Sequence, residues 1–144
     1  MTSETGLLSE EEYYKILDHA KTLGTQLTVA LIFDGVRVKE LLDIKPEDIK
    51  IVDNNAVIIG QGNKLRYILL KNTNMPLDWP PRQTQRGIVD LLAEVTLEAL
   101  LRRLTPHDIR KSGAFHRRHQ PEELQAYRLG HKFQKISETK EEKA

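Results

Sequence analysis

A basic segment in the second half of the chain has the residue types best suited to chemistry. The stretch LTPHDIRKSGAFHRRH, residues 104–119, holds three histidines and four lysines or arginines against one acid, Asp108. Guanidinium groups hold phosphate oxygens in a fixed bidentate geometry, and imidazole exchanges protons near neutral pH. His107 and Arg110 in this stretch are therefore candidate members of a phosphate-binding site.

The net charge of the chain conceals a polarised distribution. Lysine and arginine total 22 against 21 acids, a formal charge of +1, which by itself does not predict a polyanionic partner. Residues 102–119, however, carry six lysines or arginines and one acid, whereas residues 4–12 carry four acids and no base. The distribution matters more than the sum, and it indicates a basic surface on one part of the protein.

Length and composition limit the class of protein. At 144 residues the chain is expected to form one domain with its own apolar core. It contains no cysteine, which excludes disulfides and thiolate metal sites. No apolar run approaches the roughly 20 residues of a membrane helix. We expect a soluble, intracellular (cytoplasmic) protein with no membrane partner.

The first half of the chain predicts helices and then a small sheet. Ser9 and Glu12 form a capping-box pattern that starts a helix, which Gly24 is expected to end. The segments QLTVALIF and VRVKELLDI predict two helices joined at Gly35. The runs IKIV, AVIIG and LRYILL are β-rich and separated by turn residues, which predicts a three-stranded antiparallel sheet.

The second half is predicted to be helical after a loop. Residues 71–83 contain three prolines and read as a loop in which Trp79 packs. Apolar residues recurring through residues 88–104 predict a helix that is broken at Pro106. Two short helices are expected to follow, the second beginning at Pro121 and ending at Gly130.

Three more positions could take part in chemistry, namely Arg37, Lys64 and His131. Each also has an ordinary interpretation: Arg37 paired with Glu40, Lys64 solvated in a turn, and His131 interacting with a helix dipole. Similarly, His107 could cap its helix and Arg110 could be a surface group. Their joint occurrence is more informative than any one of them.

The order of four motifs resembles the catalytic domain of tyrosine recombinases and phage-type integrases. These motifs are GVRVKELL, a hairpin lysine in GQGNK, TPHDIRKSGA and LGH. The resemblance covers roughly residues 9–133. The matching positions are Gly35, Arg37, Glu40, Lys64 and the triplet Thr105, Pro106 and His107.

The resemblance implies a role for each catalytic candidate. Arg37 and Arg110 would hold the nonbridging oxygens of a phosphodiester while negative charge develops on them. Lys64 would be the general acid that protonates the leaving 5′ oxygen. His107 would accept the proton of the nucleophile, and His131 would add a hydrogen bond to the phosphate.

The resemblance also implies a fold and a partner. We expect an α+β, mostly helical domain with a small three-stranded antiparallel sheet over residues 1–133, followed by a polar tail over 134–144. Double-stranded DNA is the expected partner, contacted by Lys111, Arg117 and Arg118. No cofactor is implied. The chain is expected to act as a homo-oligomer or with a tyrosine-bearing recombinase partner.

The sequence departs from the family pattern at the nucleophile. In the family a tyrosine follows the second histidine by about nine residues and attacks the phosphate, and Lys140 stands there. The four tyrosines are Tyr13, Tyr14, Tyr67 and Tyr127. Tyr13 is expected in the core, Tyr14 exposed, Tyr67 in a strand and Tyr127 in packing. The hydroxyls of Ser137 and Thr139 are weaker candidates than a phenol.

Three functions remain open at this point. The first is a recombinase domain whose tyrosine is absent, substituted or supplied in trans. The second is a noncatalytic DNA-binding relative that regulates recombination or transcription. The third is a structural protein. A metal site at His116 and His119 is disfavoured because Arg117 and Arg118 lie between them. That helix end is expected to face phosphates or to be solvated.

Overall fold

The computed structural model describes residues 7–59 and 65–117, which form five α-helices and one three-stranded sheet. The helices are α1 (Glu10–His19), α2 (Leu23–Phe33), α3 (Val38–Leu42), α4 (Gln85–Leu100) and α5 (Pro106–Arg117). The strands are β1 (Ile49–Val52), β2 (Asn55–Ile59) and β3 (Leu65–Leu69), and a 3-10 turn, Pro46–Asp48, precedes β1. The predicted α+β class is confirmed.

The sheet is antiparallel with the order β1-β2-β3, as predicted. Its inner face packs on the core through Ala56, Ile58 and Ile68, all of them buried. The turn between β1 and β2 places Asp53 in the left-handed region, at φ 55°, where aspartate is tolerated better than most residues. The sheet thus has one buried face and one outer face, which carries the exposed Tyr67 and Leu69.

Helix α2 forms the centre of the core. Every one of its residues is buried, including the polar Gln26 and Thr28. A helix that is apolar on all sides must be covered on all sides. Accordingly, α5 packs across α2, β3 and α3 contact it, and α1 lies beside it while also packing on α4.

Helix α1 begins as predicted but ends earlier. The backbone N–H of Glu12 donates to Ser9 Oγ at 3.1 Å, and Ser9 N–H donates to Glu12 Oε1 at 3.0 Å. The helix ends at His19, and Gly24 lies inside α2 instead of ending α1. Glycine is needed at position 24 because a Cβ would collide with the backbone carbonyl of Asp78. The side-chain carboxylate of Asp78 also accepts a hydrogen bond from the Gly24 N–H.

The loop that follows β3 is fastened to the core by side chains. The buried Gln26 amide donates to the carbonyl of Asn72 at 2.9 Å and accepts from its N–H at 3.2 Å, as a neighbouring strand would. Trp79 is buried, as predicted, and its indole N–H donates to the Ile44 carbonyl at 2.9 Å. These bonds join the loop to α2 and to the segment after α3.

Helix α4 is shorter than predicted. It ends at Leu100 because Leu101 adopts a left-handed conformation, with φ 61°. The chain then turns back, and the N–H of Leu104 donates to Thr96 Oγ1 at 3.0 Å. The helix predicted from Pro121, the polar tail 134–144 and the domain boundary at residue 133 lie outside the described residues.

Candidate functional site

The carboxyl end of α2 organises the candidate site. Phe33 is the last residue of the helix and Asp34 is its C-cap. Gly35 follows with φ 109°, a conformation that favours glycine, and Val36 N–H then donates to the Leu31 carbonyl at 3.0 Å. The predicted junction of two helices at Gly35 is confirmed.

Arg37 leaves this turn with its side chain exposed. It is the N-cap of α3, and its backbone N–H donates to Glu40 Oε1 at 2.9 Å. The Glu40 carboxylate therefore caps a helix and does not form the side-chain ion pair that the ordinary interpretation required. Within residues 7–59 and 65–117, Arg37 forms no ion pair. Its guanidinium is available to an anion.

Thr105, rather than His107, caps α5. Asp108 N–H donates to Thr105 Oγ1 at 3.1 Å, and Thr105 N–H donates back to the Asp108 carboxylate at 3.0 Å. Pro106 occupies the first position of the helix, where its missing N–H costs nothing. His107 is therefore released from capping and stands exposed in the first turn.

Arg110 lies one helical turn after His107, on the same side of α5. Its side chain is half-buried, whereas those of His107 and Lys111 are exposed. The buried side of α5 carries Ile109 and Ser112 instead. The helix thus presents an imidazole, a guanidinium and an ammonium away from the core.

Helix α5 touches the end of α2 without an intervening layer of side chains. A Cβ at Gly113 would collide with the carbonyl oxygen of Phe33. The same carbonyl accepts a hydrogen bond from Arg117 Nη1 at 2.6 Å, and a cation is favourable at a helix carboxyl end. Arg110 precedes Gly113 by one turn, and Arg37 follows Phe33 by four residues, so this contact brings their two segments together.

The basic cluster divides into two halves with different environments. Arg117 is only 7% exposed, so the expectation that it contacts DNA is corrected: its guanidinium is committed to the Phe33 carbonyl. His116 Nε2 bonds to the Leu8 carbonyl at 2.6 Å, and Ser112 Oγ accepts from the Leu8 N–H. His116 and Arg117 therefore fix α5 to the fold, while Arg118 lies outside the described residues.

The sheet reaches the same helix end through an ion pair. Asp34 is 4% exposed, and its Oδ2 lies 2.8 Å from Nη1 of Arg66, the second residue of β3. Lys64 directly precedes β3 in the sequence, but Lys64 and His131 both lie outside the described residues. Sequence analysis missed Asp34 and Arg66. The available signal was a carboxylate that ends an otherwise apolar helix.

Arg102 belongs to a separate pair between α1 and the end of α4. Its Nη1 lies 2.9 Å from Oε2 of Glu12. Burial raises the pKa of Glu12, but hydrogen bonds from Arg102 and from Ser9, with the charge of Arg102, outweigh burial and hold that pKa below its ordinary value. Arg102 therefore contributes to packing of the domain.

The described tyrosines occupy packing or surface positions. Tyr13, expected in the core, is half-buried and packs against it, stacking on Phe33 with ring centroids 3.9 Å apart, and Tyr14 is 39% exposed, as expected. Tyr67 lies on the outer face of β3 and is 37% exposed. Tyr127 falls outside the described residues.

None of the described helices has the length and apolar composition needed to cross a membrane. In the same residues, no group of three histidines or acids has a geometry that could hold a metal ion.

Comparison with known proteins gives local sequence similarity and an extensive fold similarity. No family model matches the chain. The tyrosine recombinase XerC of Staphylococcus aureus strains MSSA476 and MRSA252 is 35% identical over 52 residues, which is 35% of this chain and 17% of XerC. Among solved structures, XerA recombinase superposes with a TM-score of 0.55 at 18% identity, covering 87% of this chain and 56% of XerA.

A second solved structure is the site-specific recombinase XerH bound to its palindromic difH substrate. It gives a TM-score of 0.54 at 21% identity and covers 90% of this chain and 49% of XerH. The chain thus spans about half the length of these solved recombinases. The chain therefore shares the fold of these recombinases, and a segment of 52 residues is similar in sequence to the tyrosine recombinase XerC.

Proposed function

We propose that the chain binds duplex DNA and acts on a phosphodiester in site-specific recombination, the cleavage and rejoining of DNA strands. The observation that carries the proposal is the junction at the end of α2. There the end of α2, which leads into the turn bearing the exposed Arg37, contacts α5, the helix that carries His107 and Arg110, through Gly113 and Arg117 at the Phe33 carbonyl.

The proposed chemistry uses these groups to stabilise charge and to move protons. A nucleophile oxygen attacks phosphorus while the bond to the 5′ oxygen breaks. Arg37 and Arg110 hold the nonbridging oxygens, on which negative charge grows. His107 takes the proton of the nucleophile, Lys64 donates a proton to the departing 5′ oxygen, and His131 adds a hydrogen bond to the phosphate.

The nucleophile is the open part of this proposal. In the given sequence no tyrosine follows Tyr127, and Lys140 stands where the resembled family has the attacking residue. Of the described tyrosines, Tyr13 is half-buried and stacked on Phe33, Tyr14 is exposed beside it on α1, and Tyr67 lies on the outer side of the sheet. We therefore propose that a tyrosine-bearing recombinase subunit completes the site in trans.

A second candidate function is DNA binding without cleavage, which regulates recombination or transcription. The position of Lys140 favours it, because a site that binds phosphate but lacks a nucleophile still occupies DNA. Both functions need the same basic face. Among the described residues this face comprises Arg37, Arg110 and Lys111. Arg117 is not part of it because it is buried, and Arg118 is included on the basis of the sequence alone.

The XerH structures support DNA as the partner. That recombinase was solved with difH substrate in both pre-cleavage and post-cleavage complexes. An electrostatic contact to the DNA backbone would also weaken as salt is added, because binding releases condensed counterions.

The decisive experiment uses a nicked suicide duplex, with the protein alone and with a tyrosine-bearing recombinase. Recombination in trans predicts a covalent protein–DNA adduct or new strand ends that require both proteins and vanish with Arg110→Ala. The matched control is Arg86→Ala, whose side chain is 85% exposed on α4 and paired with Asp90. Tight binding without cleavage in any mixture supports the regulatory function, and no binding at low salt refutes both.

A further inference from the structure

Asp34 lies at a position where a carboxylate is unfavourable by itself. It caps the carboxyl end of α2 and is 4% exposed. The last carbonyl groups of a helix carry partial negative charge, so a buried acid beside them is repelled. Arg66 from β3 compensates, with its Nη1 2.8 Å from the Asp34 carboxylate.

Arg66 is unusual within its own strand. It pairs in register with the buried Ile58 and lies on the same side of β3 as the buried Ile68, so it occupies a core-facing position. Charged residues are rarely buried unless they are paired. At this core-facing position of β3, an arginine that pairs with Asp34 therefore takes the place of an apolar side chain.

Two neighbouring residues at the end of α2 therefore each receive a guanidinium from a different element. The Phe33 carbonyl is held by Arg117 of α5, and the Asp34 carboxylate is held by Arg66 of β3. Immediately afterwards the chain passes through Gly35 to Arg37. The direction in which Arg37 leaves the core is consequently set between the sheet and α5.

We propose that Asp34 and Arg66 form a positioning pair that fixes the turn from Gly35 to Arg37, and with it the Arg37 guanidinium, against α5. The pair touches no DNA itself and acts through Arg37. What Arg37 binds rests on the proposed function, but the fixing of the turn does not.

The geometry favours positioning over simple stabilisation. An ion pair removed from water gains little net stability, because desolvation offsets the attraction. Its directional hydrogen bond nevertheless locks the relative placement of the two elements that carry it. This pair joins a strand to a helix cap, two elements that are 32 residues apart in the sequence.

The first test is a double-substitution cycle on DNA affinity. Arg37→Ala should weaken binding of a short duplex at low salt roughly tenfold, the value of one charge-assisted hydrogen bond. Arg66→Gln should reproduce most of that loss although it leaves Arg37 in place. In the double variant the losses should not multiply, because Arg66 acts through Arg37. Arg66→Lys should restore part of the affinity, and Arg86→Ala should leave it unchanged.

Two results would overturn the proposal in this test. One is an affinity loss from Arg66→Gln that multiplies fully with that of Arg37→Ala, which would mean that the residues act independently. The other is no loss from Arg66→Gln when Arg37→Ala weakens binding. Asp34→Asn, which keeps the side-chain shape, serves as the second variant if Arg66→Gln does not fold.

The second test measures backbone hydrogen exchange without DNA. We expect Asp34→Asn or Arg66→Gln to accelerate exchange of the Val36 amide, which donates to the Leu31 carbonyl, at least tenfold more than amides of α1. Unchanged or uniformly accelerated exchange would contradict the positioning role. If the parent protein fails to bind DNA while this local effect is present, the proposed function fails and the positioning pair stands.

Discussion

The guanidinium of Arg117 donates to the carbonyl oxygen of Phe33 at 2.6 Å, in a site that leaves Arg117 7% exposed. Arg117, which belongs to the basic segment 104–119, is therefore a buried structural residue. The carbonyl it binds is one of the helix-end groups that have no partner within their own helix. The contact fixes α5 on α2 and separates the structural half of the cluster from its exposed half.

Replacing Arg117 should therefore reduce stability. Arg117→Met keeps an unbranched apolar stem but leaves a buried carbonyl unsatisfied, and we expect a loss of about 2 kcal/mol in the free energy of unfolding. Urea unfolding measures it. Arg103→Ala, at an exposed position, is the control and should change stability by less than about 0.5 kcal/mol. Equal effects of the two substitutions would contradict the buried role of Arg117.

Gly113 should not tolerate even the smallest side chain. A methyl group at this position would overlap the Phe33 carbonyl, so Gly113→Ala must push α5 away from α2. We expect a destabilisation of about 2 kcal/mol despite the better helix propensity of alanine. Ala114→Ser at the exposed neighbouring position is the control in thermal unfolding. A stabilised Gly113→Ala variant would refute the close approach.

Stability should depend on Glu12 in a way that changes with pH. Because the pKa of Glu12 is lowered in the folded protein, its contribution is present above the pKa of the unfolded chain and is lost as pH falls through the folded value. Glu12→Gln should therefore be destabilised at pH 7 by about 1 kcal/mol.

At a pH below both values, the Glu12→Gln variant and the parent protein should approach each other in stability. Denaturant unfolding at several pH values measures the difference. Glu11→Gln, at an exposed position in the same helical turn, controls for the change in helix charge. A deficit of Glu12→Gln that grows on acidification would contradict the sign of this pKa shift.

Salt dependence should separate DNA-contacting residues from other cations. Lys111→Ala should weaken DNA binding on all sequences and reduce the slope of log affinity against log salt by about 1. The matched control is Lys21→Ala, because Lys21 is 81% exposed but lies beside Glu98, away from α5. An unchanged slope in Lys111→Ala would remove this residue from the proposed interface.

Local patterns in the sequence predicted the elements that depend on nearby residues. Ser9 and Glu12 cap α1 across three positions, and Gly35 supplies its own left-handed turn. Alternation in the strands likewise needs only the strands themselves. The family motifs selected Arg37 and His107 as site residues, and that assignment stays a prediction; the structure shows both side chains exposed.

Distant contacts explain what sequence analysis missed. Gly24 is dictated by Asp78, which lies 54 residues further along the chain, and not by a helix end. Arg117 looks like a surface residue until Phe33 is placed beside it, 84 residues away. Likewise, Asp34 is visible as a carboxylate at the end of an apolar helix, but nothing in that segment indicates that its partner is Arg66. The residue types at these positions depend on contacts between distant segments, and no short stretch of the sequence contains both partners of such a contact.

The bare contact between Gly113 and the end of α2 has a consequence for engineering this domain. With no side chains between the two backbones, repacking cannot absorb a change on either side. Because His107 and Arg110 belong to the proposed reaction site, the exposed positions 111 and 114 on the outer side of α5 are the ones to randomise in order to alter the proposed DNA binding. Positions 113 and 117 beneath them should be kept constant in any such library, because they maintain the platform on which every variant is compared.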